Sequence, residues 1–164
     1  MVFTEQMKLI DFWFPNDNFN KFWFDKSKDD YINKNFNDQL IDVENDTIIY
    51  EELSDLEILT KILFLDQISR SIYRNNKEKI LDNDKIALKL SLYYLENRDW
   101  NNIKFNYLIF YLMPLRHTFK KEYYDKIFEI LLQKQKCLFQ KKNKDKNLYD
   151  KFYNVTLKIY KSFD

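Results

Sequence analysis

Along most of the chain apolar residues recur three and four positions apart, the spacing that places them on one face of a helix. Thr4 is expected to cap a first helix reaching Trp13, and Pro15 stops it because proline has no N–H to donate. An aromatic loop follows from Pro15 to Asp25 with Phe19, Phe22, Trp23 and Phe24. Ser27 starts a second helix to about Ile41, with Asp30 at the capping-box position and a buried stripe of Tyr31, Ile32, Phe36 and Leu40. The stretch from Asp42 to Leu53 reads as acidic and irregular. Ser54 and Glu57 form a second capping box and open the clearest helix, with Leu56, Leu59, Ile62 and Leu63 inward and an end near Tyr73. Asp82 or Asn83 is expected to cap a fourth helix through Leu95, with Ile86, Leu90 and either Tyr93 or Tyr94 inward. A fifth runs from about Asn102 through Tyr111 and must bend or end at Pro114; the sixth reaches from about Lys120 to Gln140 and the seventh from Lys146 to Phe163.

These elements predict an all-α fold of about seven helices, stacked as antiparallel pairs through short connections. No linker and no strong internal repeat interrupts the chain, so residues 1–164 are read as one domain. The size agrees, because one core usually serves about 100–200 residues.

Composition narrows the function classes. The chain has no glycine, which removes the P-loop, the dinucleotide fingerprint, the kinase-type lid and the nucleophile elbow. One cysteine, Cys137, forms no internal disulfide, and one histidine, His117, cannot supply a multi-histidine metal site, so neither metal nor cofactor is expected. Cys137 and Trp100 read as packing residues. Formal net charge is +1, which gives no argument for nucleic acid or an anionic membrane as partner. No apolar run approaches about 18 residues and no signal peptide opens the chain, so a soluble, cytoplasmic protein is expected. Abundant Lys, Asn, Ile, Tyr and Phe, with a single alanine at Ala87, suggest codon usage of an AT-rich genome.

The charge is unevenly spread. Residues 25–57 carry 11 acids against 3 bases, while residues 120–161 carry 12 bases against 5 acids. The second segment reads as a solvated helix face attracted to the first, and secondarily as an electropositive face for an acidic partner.

Only four of the 27 basic residues are arginine, and Arg70, Arg74 and Arg116 fall in two short segments. Where lysine is the default cation, a retained arginine points to a need for a flat, bidentate guanidinium. In the first segment Asp66, Arg70 and Arg74 are four apart on one helix face, flanked by Gln67 and Tyr73. Two guanidiniums one turn apart would hold a carboxylate or phosphate, with Asp66 orienting Arg70; the plainer reading is an Asp–Arg ladder that ties helices together. In the second segment Arg116 and His117 follow Pro114, and His117 is the one side chain suited to proton transfer near neutral pH. It reads equally as a helix-terminal histidine facing the last carbonyls. Ser69 or Ser71 with His117 and Asp66 would imitate a hydrolase triad, but nothing in the sequence supplies an elbow or an oxyanion hole. The aromatic set Phe12-Trp13-Phe14 with Phe22-Trp23-Phe24 reads as core before it reads as a stacking surface for a base or peptide.

Taken in order, these motifs resemble one family, the uncharacterised TPR-like helical family called domain of unknown function 924. Its opening D-F-W-F is matched by Asp11 to Phe14, and its following W-F, K-S and helical step by Trp23, Phe24, Lys26, Ser27, Tyr31, Ile32 and Phe36. Its hallmark L-D-Q-F-P-R-N-I-Y-R resembles Leu65 to Arg74, with Ile68, Ser69 and Ser71 departing. Asp84 and Ala87 echo a later aspartate and alanine. Pro114, Leu115, His117 and Thr118 match P-L-M-H-S-E, with Arg116 and Phe119 in place of the methionine and glutamate. The family's F-G-R-F-P-H-R-N element would begin where the chain ends at Asp164, so a shortened C-terminus is expected.

The resemblance implies a TPR-like stack in which Asp66, Gln67, Arg70, Tyr73, Arg74, Arg116 and His117 converge on one ligand-binding pocket. It supplies no reaction. The first functional reading is a binding module for an anionic small molecule or an acidic peptide. The second is a scaffold without a pocket, and the third a metal-free hydrolase or lyase with His117 as base and Arg70 as oxyanion stabiliser.

Overall fold

The computed structural model describes residues 3–15, 23, 26–140 and 145–163. Phe19, Phe22, Phe24 and Asp25 of the expected aromatic loop lie outside the described residues, as do the side chains of Thr4, Cys137 and Phe139. The fold is all-α, with seven helices among the described residues: α1 (Phe3–Trp13), α2 (Asp29–Asn45), α3 (55–72), α4 (Lys77–Asn97), α5 (Phe105–His117), α6 (Lys121–Gln140) and α7 (Lys146–Tyr160). α3 is composite, an α-helical stretch Asp55–Ile62, a π-helical stretch Leu63–Ile68 and a final α-helical turn Ser69–Ile72. The chain divides into two compact units, Met1–Arg98 and Asp99–Asp164.

In the first unit α3 is the central element. Every residue from Ile58 to Ser69 is buried, because α2 packs on its π-helical and final stretches while α4 packs along its whole length. α1 leans on the start of α3, and Trp13, Phe14 and Trp23 are all buried. Trp23 Nε1 donates to the Trp13 carbonyl at 2.7 Å, and its ring meets Phe14 edge-on at 5.6 Å, so these aromatics are core.

The capping box at Ser54 forms as its sequence requires: Glu57 N donates to Ser54 Oγ, and Ser54 N and Oγ both donate to the Glu57 carboxylate. Other boundaries differ from the sequence reading. α1 already contains Phe3 and Thr4, so Thr4 is not its cap. A 3-10 turn Lys26–Lys28 precedes α2, Lys28 holds the cap position and makes no side-chain cap bond, and the helix runs on to Asn45, into the first residues of the expected acidic loop. Tyr31 is exposed, its place in the buried stripe of α2 taken by Val43. α4 starts at Lys77 under an Asn76 cap, one and a half turns before Asp82 and Asn83, which are interior positions.

In the second unit α5, α6 and α7 pack pairwise. α5 passes through Pro114 without ending there, and every residue from Leu108 to Leu115 is buried. Beyond α5, Phe119 takes φ 52°, the left-handed conformation that glycine usually supplies just after a helix. No helix among the described residues is long and apolar enough to cross a membrane.

Candidate functional site

The first candidate segment begins in the π-helical stretch, where Ser69 N bonds to the Phe64 carbonyl five residues back, yet Asp66 and Arg70 still pair four residues apart. Ser69 is buried and its hydroxyl donates to the Leu65 carbonyl, an internal bond with no triad in it.

Asp66 is fully buried. Its carboxylate accepts from Gln67 Nε2 and, at 3.4 Å, from Arg70 Nη2. The same Nη2 donates at 2.6 Å to Asp84 on α4, so one guanidinium nitrogen is shared by two carboxylates, and the Arg70 side chain remains 33% exposed. A carboxylate taken out of water needs such partners, because an unpaired buried charge costs several kcal/mol. Arg74 lies past the end of α3 and turns the other way: its Nε donates to Asp29 on α2 at 2.8 Å, and its Nη2 bonds to the same oxygen. The two guanidiniums therefore serve different neighbouring helices. The expected pair of arginines gripping one anion is not the arrangement found.

Tyr73, at the end of α3, belongs to a third cluster. Its hydroxyl donates to Glu44 at 3.1 Å, and Glu44 also accepts from Asn83 at 2.7 Å and pairs with Lys79 at 3.4 Å. Burial, reinforced by the Glu44 charge, pushes the Tyr73 phenol up to about 12.

Residues 9–163 match the family described as a bacterial protein of unknown function (DUF924). The chain belongs to this family. No curated protein and no solved structure matches it.

In this DUF924 chain Asp66, Gln67 and Arg70 are brought together, with Tyr73 and Arg74 in adjoining clusters of the first unit. Arg116 and His117 belong to the second unit, in the last turn of α5. There the Arg116 guanidinium lies 4.9 Å from the centre of the Phe152 ring, and its carbonyl accepts from the Tyr124 hydroxyl at 2.8 Å. His117 is half-buried as the final residue of α5.

Sequence reasoning missed Asp29 and Glu44 as partners of these groups and gave Asn83 the wrong part. Its usable signal was the acid-rich run from Asp25 to Glu57, which supplies both carboxylates from α2. Asp84 was visible as a motif position, but its contact with Arg70 spans 14 residues and no local spacing reveals it.

Proposed function

We propose that this DUF924 chain is a binding module in which Arg70 receives a carboxylate- or phosphate-bearing small molecule, with the cytoplasm as its compartment. One observation carries the reading: a fully buried carboxylate, Asp66, stands behind a guanidinium that is one-third exposed and also braced by Asp84. Tying α3 to α4 requires only the Arg70–Asp84 pair. Burying Asp66 as well adds desolvation cost, and its return is a guanidinium fixed in orientation before any ligand arrives.

The scaffold reading has its own support, since Arg70–Asp84 and Arg74–Asp29 each join the end of α3 to another helix. A thermal-shift series with inorganic phosphate, citrate and ATP separates the two. A ligand at 100 times its dissociation constant adds about 2.7 kcal/mol of stability, a plain rise in melting temperature. The binding module requires such a rise in the wild type and its loss in both Arg70→Ala and Arg70→Lys, because lysine keeps the charge without the fork. No rise with any of the three, or a rise that survives Arg70→Ala, leaves the scaffold.

A further inference from the structure

The second unit contains a cavity of about 690 Å³ between α6 and α7, within the range of about 300–1,000 Å³ typical of small-molecule sites. Its positions on α7 are spaced by three and four, and those on α6 likewise, so each helix gives one continuous stripe to the groove. The middle is aromatic. Phe128 meets Tyr153 edge-on at 5.4 Å and Tyr160 at 5.2 Å, and Tyr153 stacks on the buried Tyr149 at 5.9 Å.

Charge selects the occupant. Residues 120–161 hold 12 bases and 5 acids, yet among the described residues lining the cavity are two of those acids, Asp125 and Asp150, and none of the bases. Neither acid has an ion-pair partner among the described residues. Asp125 accepts the Tyr160 hydroxyl at 2.7 Å, near the C-terminal end of α7, whereas Asp150 sits near its N-terminal end. Ten residues separate Tyr160 from Asp150, about 15 Å at 1.5 Å per residue. The groove thus has a carboxylate toward each end and ring faces between them. Such faces attract ammonium groups and cover methylenes; outside the groove's lining, Lys121 Nζ already lies 5.2 Å from the centre of the Tyr160 ring.

We propose that the α6–α7 groove binds a linear aliphatic polyamine, its terminal ammonium groups on Asp125 and Asp150 and its methylenes along Phe128, Tyr153 and Tyr160. The site is independent of Arg70 and of opposite charge preference. An anion would meet two carboxylates here, and a neutral chain of the same length would leave both unpaired.

Isothermal titration of the full chain with spermine tests it, with tetraethylene glycol, a neutral diol of nearly the same chain length, as the control and far-UV circular dichroism confirming the helices of each variant. Saturable binding of spermine, at least tenfold weaker in Asp125→Asn/Asp150→Asn and weakened again between 50 and 500 mM salt, is the expected result. The amides keep volume and the bond to Tyr160, and the single Asp150→Asn variant carries the test should the double one lose its helices. Absence of saturable spermine binding overturns the proposal. Equal binding of the diol does so too, as does spermine binding that persists in the variants, which would place it on the acidic segment of the first unit.

Discussion

Asp66 shows what a single residue costs and what it organises. Its carboxylate has no access to water, and Gln67 and Arg70 both donate hydrogen bonds to it. Arg70→Ala therefore leaves a buried charge with one donor fewer, and the expected loss is about 3 kcal/mol in urea unfolding. Adding Asp66→Asn to that variant removes the charge and is expected to recover about 1–2 kcal/mol, a non-additivity that a double-mutant cycle reads directly. Two purely additive losses would mean that the carboxylate is not held by Arg70. The Asp66–Arg70 pairing was legible from a four-residue spacing. The partners of Arg70 and Arg74 on other helices were not, since Asp84 and Asp29 stand 14 and 45 residues away.

At the scale of the helix, local chemistry specified some ends and left others to context. Ser54 and Glu57 satisfy each other's backbone and carry their own start signal. Ser27 has a similar spacing to Asp30, yet the chain enters α2 through a 3-10 turn and caps it at Lys28. Pro114 forfeits one hydrogen bond near the end of a helix whose residues are buried on every side, and packing carries the helix past it. A chain without glycine must also end helices at some expense. Phe119 holds φ 52° while the residue is 61% exposed, so the backbone is strained and little packing repays it. Phe119→Asn, a residue that tolerates this conformation, is expected to raise stability by about 0.5–1 kcal/mol, seen as a higher melting temperature. A lower one would show that the phenyl ring is held by contacts worth more than the strain.

Over the whole molecule the charges nearly cancel, and pH acts through groups whose folded environments move them apart from their ordinary values. The hydrogen bond and charge of Lys61 hold Asp46 below its ordinary 3.8, and hydrogen bonds from Ser54 hold Glu57 below 4.5. Depressed carboxylates stabilise the fold above those values, and the contribution is lost as pH falls through the folded ones. Burial pushes Tyr73 and Tyr149 up to about 12 from 10; Tyr124 is raised by burial and Tyr160 by its bond to Asp125. A raised phenol leaves stability intact below pH 10 and removes it as pH climbs toward 12, because the unfolded chain ionises first. Melting temperature against pH should hold a plateau between about 5 and 10, and an ultraviolet titration should show a late tyrosinate step that Tyr73→Phe reduces. All 12 tyrosines ionising together near pH 10 would contradict these environments. The sequence by itself determined the helical class, most of the apolar stripes, the Ser54 cap and the family motif, because a helix's period and caps are set within a few neighbouring residues. Only the tertiary structure decided the π-helical register of α3, the division of its two arginines between α4 and α2, the outward turn of Tyr31 and the aromatic groove of α6 and α7. Each of these rests on residues far apart in the chain, where packing and the need to pair buried charge outweigh local spacing.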